Sequence, residues 1–144
     1  RKQDVPIAAD ESIRRAEDPL KVARLEAADV AVIKIAPLGG GRAVTRLVEE
    51  LPMPLVISSA LETSFGLDYA ARVACALDQE PRPCGLGTAN LLAADTALTP
   101  ALIHDGCMIP SELSLNEALV SEAPIDSSLT QSWAERITEM AHYH

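Results

Sequence analysis

The stretch Val30-Ala31-Val32-Ile33-Lys34-Ile35-Ala36-Pro37-Leu38 is an apolar run broken by a single amine. Apolar residues at successive positions, rather than at every second one, predict a strand covered on both faces, the habit of parallel sheets. Working outward, similar runs stand at Val5-Pro6-Ile7-Ala8-Ala9 and at Pro54-Leu55-Val56-Ile57, with a shorter, weaker one around Pro83-Cys84. Each leads into a residue with chemistry or conformational freedom: Asp10, Lys34, Ser58-Ser59 and Gly85. Asp10 and Lys34 are 24 residues apart, Lys34 and Ser58 another 24, and Ser58 and Gly85 27.

The intervening segments have helical spacing. Asp18-Pro19 supplies an N-cap acceptor followed by a proline at the first turn, where a missing N–H costs nothing, and predicts a helix running to about Ala28. Val44, Leu47, Val48 and Leu51 fall at i, i+3, i+4 and i+7, and Pro52 stops that second helix. Leu67, Ala70, Ala71 and Ala74 repeat the spacing with small residues that let a helix lie close to a sheet. Strand and helix thus alternate as βαβαβαβ with a beat of one βα unit, and crossovers between parallel strands are almost always right-handed. The predicted fold class is α/β: half of a (β/α)8-type barrel, four parallel strands alternating with helices, with active-site groups at the strand C-termini. An open doubly wound sheet is the competing architecture and would put ligands at the same ends.

A complete barrel takes roughly 250 residues; the chain has 144 and does not begin with Met. It therefore reads as the C-terminal part of a longer chain. Residues 1–98 form the barrel portion and residues 99–144 an extension packing on the barrel or on neighbouring structure. Pro100, Gly106 and Pro110 mark residues 99–116 as loop with short extended pieces. Ser127 or Ser128 is expected to cap a last helix with Trp133, Ile137 and Met140 turned inward.

Composition excludes several classes. The chain is 48% hydrophobic and 23% charged, too apolar for a disordered segment. No run approaches the ~18–20 apolar residues of a membrane span, and Arg1-Lys2-Gln3-Asp4 has no apolar secretory segment behind it, so neither a membrane nor a secreted protein is expected. Twenty-one acidic against 12 basic residues give a net charge of -9, which repels phosphate backbones and excludes nucleic acid as a partner. Cys75, Cys84 and Cys107 are odd in number and lack CxxC spacing, which argues against a disulfide framework or a structural zinc site and predicts a reducing cytoplasm. Aromatic residues make up only 3%, so Ala, Leu, Val and Ile must fill the core.

Among candidate site residues, Asp10 is a carboxylate at a strand end. It suits a hard cation such as Mg2+, which takes oxygen ligands, or equally a helix cap or solvated turn. Glu11 points elsewhere and is at most a supporting group. Lys34, at the end of a buried strand and with apolar neighbours, is partly desolvated and suits proton transfer, imine formation or the holding of an anion. The alternative is a structural lysine that snorkels to water. Ser58, Ser59 and Thr63, with nearby N–H groups, could hold a carboxylate. No GxSxG elbow surrounds either serine, which leaves a Ser-His-Asp hydrolase little support. Gly39-Gly40-Gly41 precedes a helix without the lysine and Ser/Thr of a phosphate loop and reads as a turn. Gly85-Leu86-Gly87-Thr88 allows close backbone approach to a ligand, or merely a turn. His104, His142 and His144 have no metal-like spacing.

Taken together, Ala9-Asp10-Glu11-Ser12, Val32-Ile33-Lys34-Ile35-Ala36-Pro37-Leu38-Gly39-Gly40, Ser58-Ser59-Ala60-Leu61-Glu62-Thr63-Ser64-Phe65-Gly66-Leu67 and Cys84-Gly85-Leu86-Gly87-Thr88 resemble the C-terminal barrel half of the enolase superfamily. The similarity spans roughly residues 5–110. The first two segments are shared by the muconate-lactonising subgroup. The last two resemble, within it, the family of o-succinylbenzoate synthases of menaquinone biosynthesis.

The resemblance implies a (β/α)7β8 barrel closed by an N-terminal capping domain, and three carboxylates holding one Mg2+, with Mn2+ a possible substitute, beside an enediolate. Asp10 would be the third of those ligands and Lys34 the second of two lysines facing a small-molecule carboxylate substrate. Ser58 or Ser59 would hold the succinyl carboxylate, and Gly85, Leu86, Gly87 and Thr88 would line the pocket. The implied activity is a lyase: the syn dehydration of 2-succinyl-6-hydroxy-2,4-cyclohexadiene-1-carboxylate to o-succinylbenzoate. The base lysine, two metal ligands, the capping domain and the first barrel half would lie outside these residues, so the piece alone should not catalyse. An N-acylamino acid racemase or a cycloisomerase would use the same Asp10 and Lys34. A Schiff-base aldolase would use Lys34 without a metal, and a scaffold module would need neither.

Overall fold

The computed structural model describes residues 4–15, 17–78, 80, 82–122 and 126–141. The elements are β1 (Ala8–Ala9), α1 (Asp18–Arg24), β2 (Val30–Lys34), α2 (Gly41–Glu50), β3 (Leu55–Ser58), α3 (Ser64–Ala76), a 3-10 turn (Gly87–Leu91), α4 (Glu117–Glu122) and α5 (Ser127–Ala141). The sheet is parallel in the order β1-β2-β3, with Ala8 beside Val30, Ala9 beside Ala31, Ile33 beside Ile57 and Lys34 beside Ser58.

Two of the four expected strands are shorter than the apolar runs that announced them. Only Ala8–Ala9 of the first joins the ladder. Pro6 has no N–H to give, Val5 is 67% exposed, and Ile7 binds crosswise, donating to Asp29 Oδ2 at 2.7 Å while its carbonyl accepts from Asp29 and Val30. The fourth contracts to one parallel bridge between Ser58 and Gly85. There Gly85 N–H donates to the Ile57 carbonyl and Ser59 N–H to the Gly85 carbonyl, both at 2.9 Å. Pro83 cannot donate to a longer ladder.

Burial alternates along the strands. Ala31, Ile33, Leu55 and Ile57 are at most 1% exposed and form the face packed beneath the helices with Val44, Leu47, Leu67, Ala70 and Ala71. Val30, Val32 and Val56, on the opposite face, are half-buried. Cover on both faces, expected from the unbroken apolar runs, is therefore complete on one face only. The other carries Lys34 and Ser58, in register, and by alternation from Ala8 it carries Asp10 as well.

Helix α2 buries Val44 and Leu47 as its spacing predicts. Gly39 and Gly40 before it have φ of 94° and 95°, a left-handed turn closed by Gly40 N–H on the Ile35 carbonyl. Helix α1 departs from expectation at both ends. Its N-cap is Glu17, because the Asp18 carboxylate instead accepts the upstream N–H groups of Arg14 and Arg15. It stops at Arg24 rather than Ala28, where Glu26 turns to φ 48°.

In the tail, residues 99–116 are loop with short bridged pieces, as expected, and the helices beyond them depart from expectation. Residues 97–115 are held by two antiparallel bridges, Ala97 to Leu115 and His104 to Cys107. The second flanks Asp105-Gly106, both at positive φ, as a two-residue hairpin turn requires. Helix α4 was not signalled by any apolar spacing. Helix α5 is preceded by Asp126, whose Oδ1 accepts from Ser128 and Leu129 N–H, so the cap is an aspartate and not Ser127 or Ser128. Trp133, Ile137 and Met140 are 51%, 63% and 62% exposed, not inward. Arg136 lies over the Trp133 ring, 4.9 Å from its centroid.

Candidate functional site

Asp10 leaves β1 in a tight turn closed by Ile13 N–H on its carbonyl, and Ile13, 1% exposed, anchors that turn in the core. Lys34 ends β2 one strand away. Its Nζ donates to Asp10 Oδ1 and, at 3.4 Å, to Glu11 Oε1. The lysine side chain is 10% exposed, that of Asp10 43% and that of Glu11 72%. A nearly buried ammonium thus meets a half-open carboxylate at the C-terminal edge of the sheet.

Glu11 also accepts from Arg14 Nε at 3.0 Å and from its Nη2. The Arg14 guanidinium holds the Glu11 carboxyl below its usual range, helped by the charge of Lys34 and opposed by partial burial. Glu11 therefore braces Lys34 from the side.

Strand β3 delivers the serines. Ser58 is half-buried, and its hydroxyl donates over a long 3.4 Å to the Gly85 carbonyl. Ser59 is 7% exposed. Its Oγ donates to Glu62 Oε2, accepts from Leu61 N–H at 2.9 Å and lies 2.6 Å from Thr88 Oγ1. Leu86 is buried, and Gly85 packs so closely on Ser58 that an added Cβ would stand 2.7 Å from Ser58 Oγ. The structure thus brings Asp10, Glu11 and Lys34 together, and separately Ser58, Ser59, Gly85 and Thr88, at the ends of neighbouring strands. His104 sits in the tail hairpin beside none of these, and His142 and His144 lie outside the described residues.

Two groups had no sequence-based assignment. Glu62 stands three residues after Ser59, the S-x-x-E spacing of a capping box, a signal that was present. Asp95 is 31 residues from Ser64, yet its carboxylate accepts Ser64 N–H at 3.0 Å and Ser64 Oγ–H at 2.8 Å; no local spacing announces that.

Among the described residues no three potential metal ligands cluster. The chain offers the carboxylate of Asp10, whose hard oxygens suit a divalent cation, and further ligands would come from elsewhere. A cavity of about 630 Å3 lined by Ala28, Asp29, Pro52, Met53 and Pro54 lies at the opposite end, where the strands begin, and holds none of these groups.

Residues 1–114, the parallel βα array with an acid and an amine at its strand ends, match the family described as Enolase C-terminal domain-like: the chain belongs to that family. Its enzymes generally use a divalent metal ion. Among individual proteins, the chain is 49% identical over 132 residues to an o-succinylbenzoate synthase of Thermobifida fusca, covering 92% of the chain and 42% of that protein. It is 44% identical over 137 residues to that of Mycobacterium ulcerans, again covering 42% of its length. A crystal structure of muconate cycloisomerase from Pseudomonas fluorescens superposes with a TM-score of 0.73 at 32% identity, over 81% of this chain and 35% of that one. The chain thus spans about two fifths of the synthases it resembles. No helix among the described residues is long and apolar enough to cross a membrane.

Proposed function

We propose that these residues are the C-terminal part of the barrel of an o-succinylbenzoate synthase, which dehydrates 2-succinyl-6-hydroxy-2,4-cyclohexadiene-1-carboxylate to o-succinylbenzoate in menaquinone synthesis. The observation that carries this reading is the Lys34 ammonium bound to Asp10 at the strand C-termini, in a chain 49% identical to such a synthase.

In this reading Asp10 is one ligand of Mg2+, or of Mn2+ in its place; when bound, the ion supplies positive charge beside the substrate carboxylate. Lys34 holds its ammonium toward the ring and stabilises the anion left when the proton α to the carboxylate departs. Glu11 and Arg14 keep that ammonium oriented. Ser58, Ser59, Gly85, Leu86, Gly87 and Thr88 form the wall facing the succinyl carboxylate. The base lysine and the other ligands are contributed from outside this chain, together with a capping domain, and the isolated piece does not turn over. The exposed stripe of α5 supports a tail that packs on the barrel or on that domain. A cytoplasmic setting fits the free thiols of Cys75, Cys84 and Cys107.

An aldolase reading is disfavoured because an ammonium bonded to two carboxylates has no lone pair to offer a carbonyl. The likeness to muconate cycloisomerase keeps a cycloisomerase as the second reading, at lower identity. Purified full-length protein with Mg2+ should dehydrate the cyclohexadiene substrate. Racemisation of N-acylamino acids or lactonisation of muconate without dehydration would reject the assignment.

A further inference from the structure

Ser59 looks like a substrate group in the sequence, but its hydrogen-bonding capacity is already spent. Its one proton goes to Glu62 Oε2, and its lone pairs take the Leu61 N–H and the Thr88 hydroxyl. Glu62 Oε2 also accepts Ala60 N–H at 2.7 Å. The Ser59 N–H is occupied as well, by the Gly85 carbonyl. Ser59, Ala60, Leu61 and Glu62 thus close one self-bonded turn in which Leu61 is held at φ 75°, a conformation sterically costly for leucine. Thr88, in the 3-10 turn that follows Gly85, is tied to that turn through Ser59. Gly66 leaves the room: an added Cβ there would stand 2.7 Å from Glu62 Cγ.

We propose that Glu62 is a positioning residue. Through Ser59 and Thr88 it locks the loop after β3 to the segment 85–88 and so fixes the width of the pocket that receives the substrate's side-chain carboxylate. Ser58, whose hydroxyl donates over a long 3.4 Å to the Gly85 carbonyl, is the hydroxyl that can turn to a ligand at least cost. A carboxylate ligand needs donors, and the Glu62 charge behind Ser59 repels it there. The substrate part of the proposal rests on the synthase reading; the clamp itself does not.

The test uses the full-length protein and three variants, Glu62→Ala, Thr88→Val and Thr88→Ser. Loss of the two hydrogen bonds that Glu62 accepts in Glu62→Ala, or of the one from Thr88 in Thr88→Val, should raise KM for the cyclohexadiene substrate about tenfold, with a smaller change in kcat. Thr88→Ser, which keeps the hydroxyl, should return KM to within about threefold of wild type. The apparent Mg2+ affinity should stay unchanged in all three, because Asp10 is untouched. Amide exchange at Ala60 and Leu61 should quicken by about tenfold in the first two variants and not in the third.

A merely structural role would lower thermal stability and the active fraction while leaving KM alone, and that result overturns the proposal. Equal losses in Thr88→Ser and Thr88→Val also overturn it. If the wild-type protein fails to dehydrate the substrate, the synthase reading falls and the exchange arm still decides: unaltered protection at Ala60 and Leu61 in Glu62→Ala refutes the clamp.

Discussion

Replacing Asp95 by alanine should loosen the start of α3 and the tail that lies on it. Thr63, the N-cap of α3, makes no capping bond with its own side chain. Asp95 does that work from the tail. It accepts Ser64 N–H at 3.0 Å, Ser64 Oγ–H at 2.8 Å and Ala97 N–H at 2.9 Å, and Ser64 is fully buried. Losing a cap costs about 1 kcal/mol, and leaving the buried Ser64 amide and hydroxyl without an acceptor adds about 1–2 kcal/mol. The sum of about 2–3 kcal/mol corresponds to roughly a thirty- to hundred-and-fiftyfold faster exchange of the Ser64 amide in the full-length protein. Burial raises the Asp95 carboxyl, but the Ala97 N–H and the hydroxyl and N–H of Ser64 outweigh it, so its pKa lies below the usual value. A depressed folded pKa means that the tether is at full strength above the unfolded pKa of about 3.9 and is lost as the pH falls through the lower folded value. Exchange at Ser64 in wild type should therefore accelerate only below about pH 4, and Asp95→Asn should lack that acid limb. A change of less than about threefold in Asp95→Ala at neutral pH would refute the reasoning.

Further outcomes follow from the same contacts. Asp10→Asn should weaken Mg2+ binding by more than ~10-fold and nearly abolish dehydration, measured by calorimetric titration and turnover; unchanged metal dependence would count against Asp10 as a ligand. Lys34→Met should lower kcat by about a hundred- to a thousandfold, the usual loss when one donor to a developing anion is removed; retained turnover would leave Lys34 as packing alone. Gly66→Ala should push Glu62 off Ser59 and destabilise the protein by about 1–3 kcal/mol in denaturant titrations; wild-type stability would mean that Glu62 has room to move. Gly85→Ala should turn the Ser58 hydroxyl aside and raise KM for substrate while leaving metal affinity as it was.

Much of the fold was legible because the signals were local. The unbroken apolar runs, the i, i+3, i+4, i+7 spacing in α2 and the small-residue face of α3 each lie within a dozen residues, and they survive packing. Strand lengths were less legible, since Pro6 and Pro83 look apolar in sequence yet remove ladder donors. Helix α5 misled for a different reason. Leu129, Trp133, Ile137 and Met140 have helical spacing and would normally mark a buried face, yet all four are exposed. Spacing reveals that a helix has an apolar side, not what lies against it. At the candidate site, the meeting of Asp10 and Lys34 was legible because each stands at the end of a strand. Asp95 was not, because its partner Ser64 lies far away in sequence, and Glu62 was passed over because its capping-box spacing serves a loop instead of a helix.

The exposed Trp133 is the chain's single tryptophan. Its fluorescence therefore reports on the tail and is nearly blind to the sheet: melting of β1 to β3 should scarcely alter the emission, whereas anything that covers α5 should shift it to the blue. Intrinsic emission would be a poor unfolding probe for these residues and a sensitive one for whatever docks on that helix.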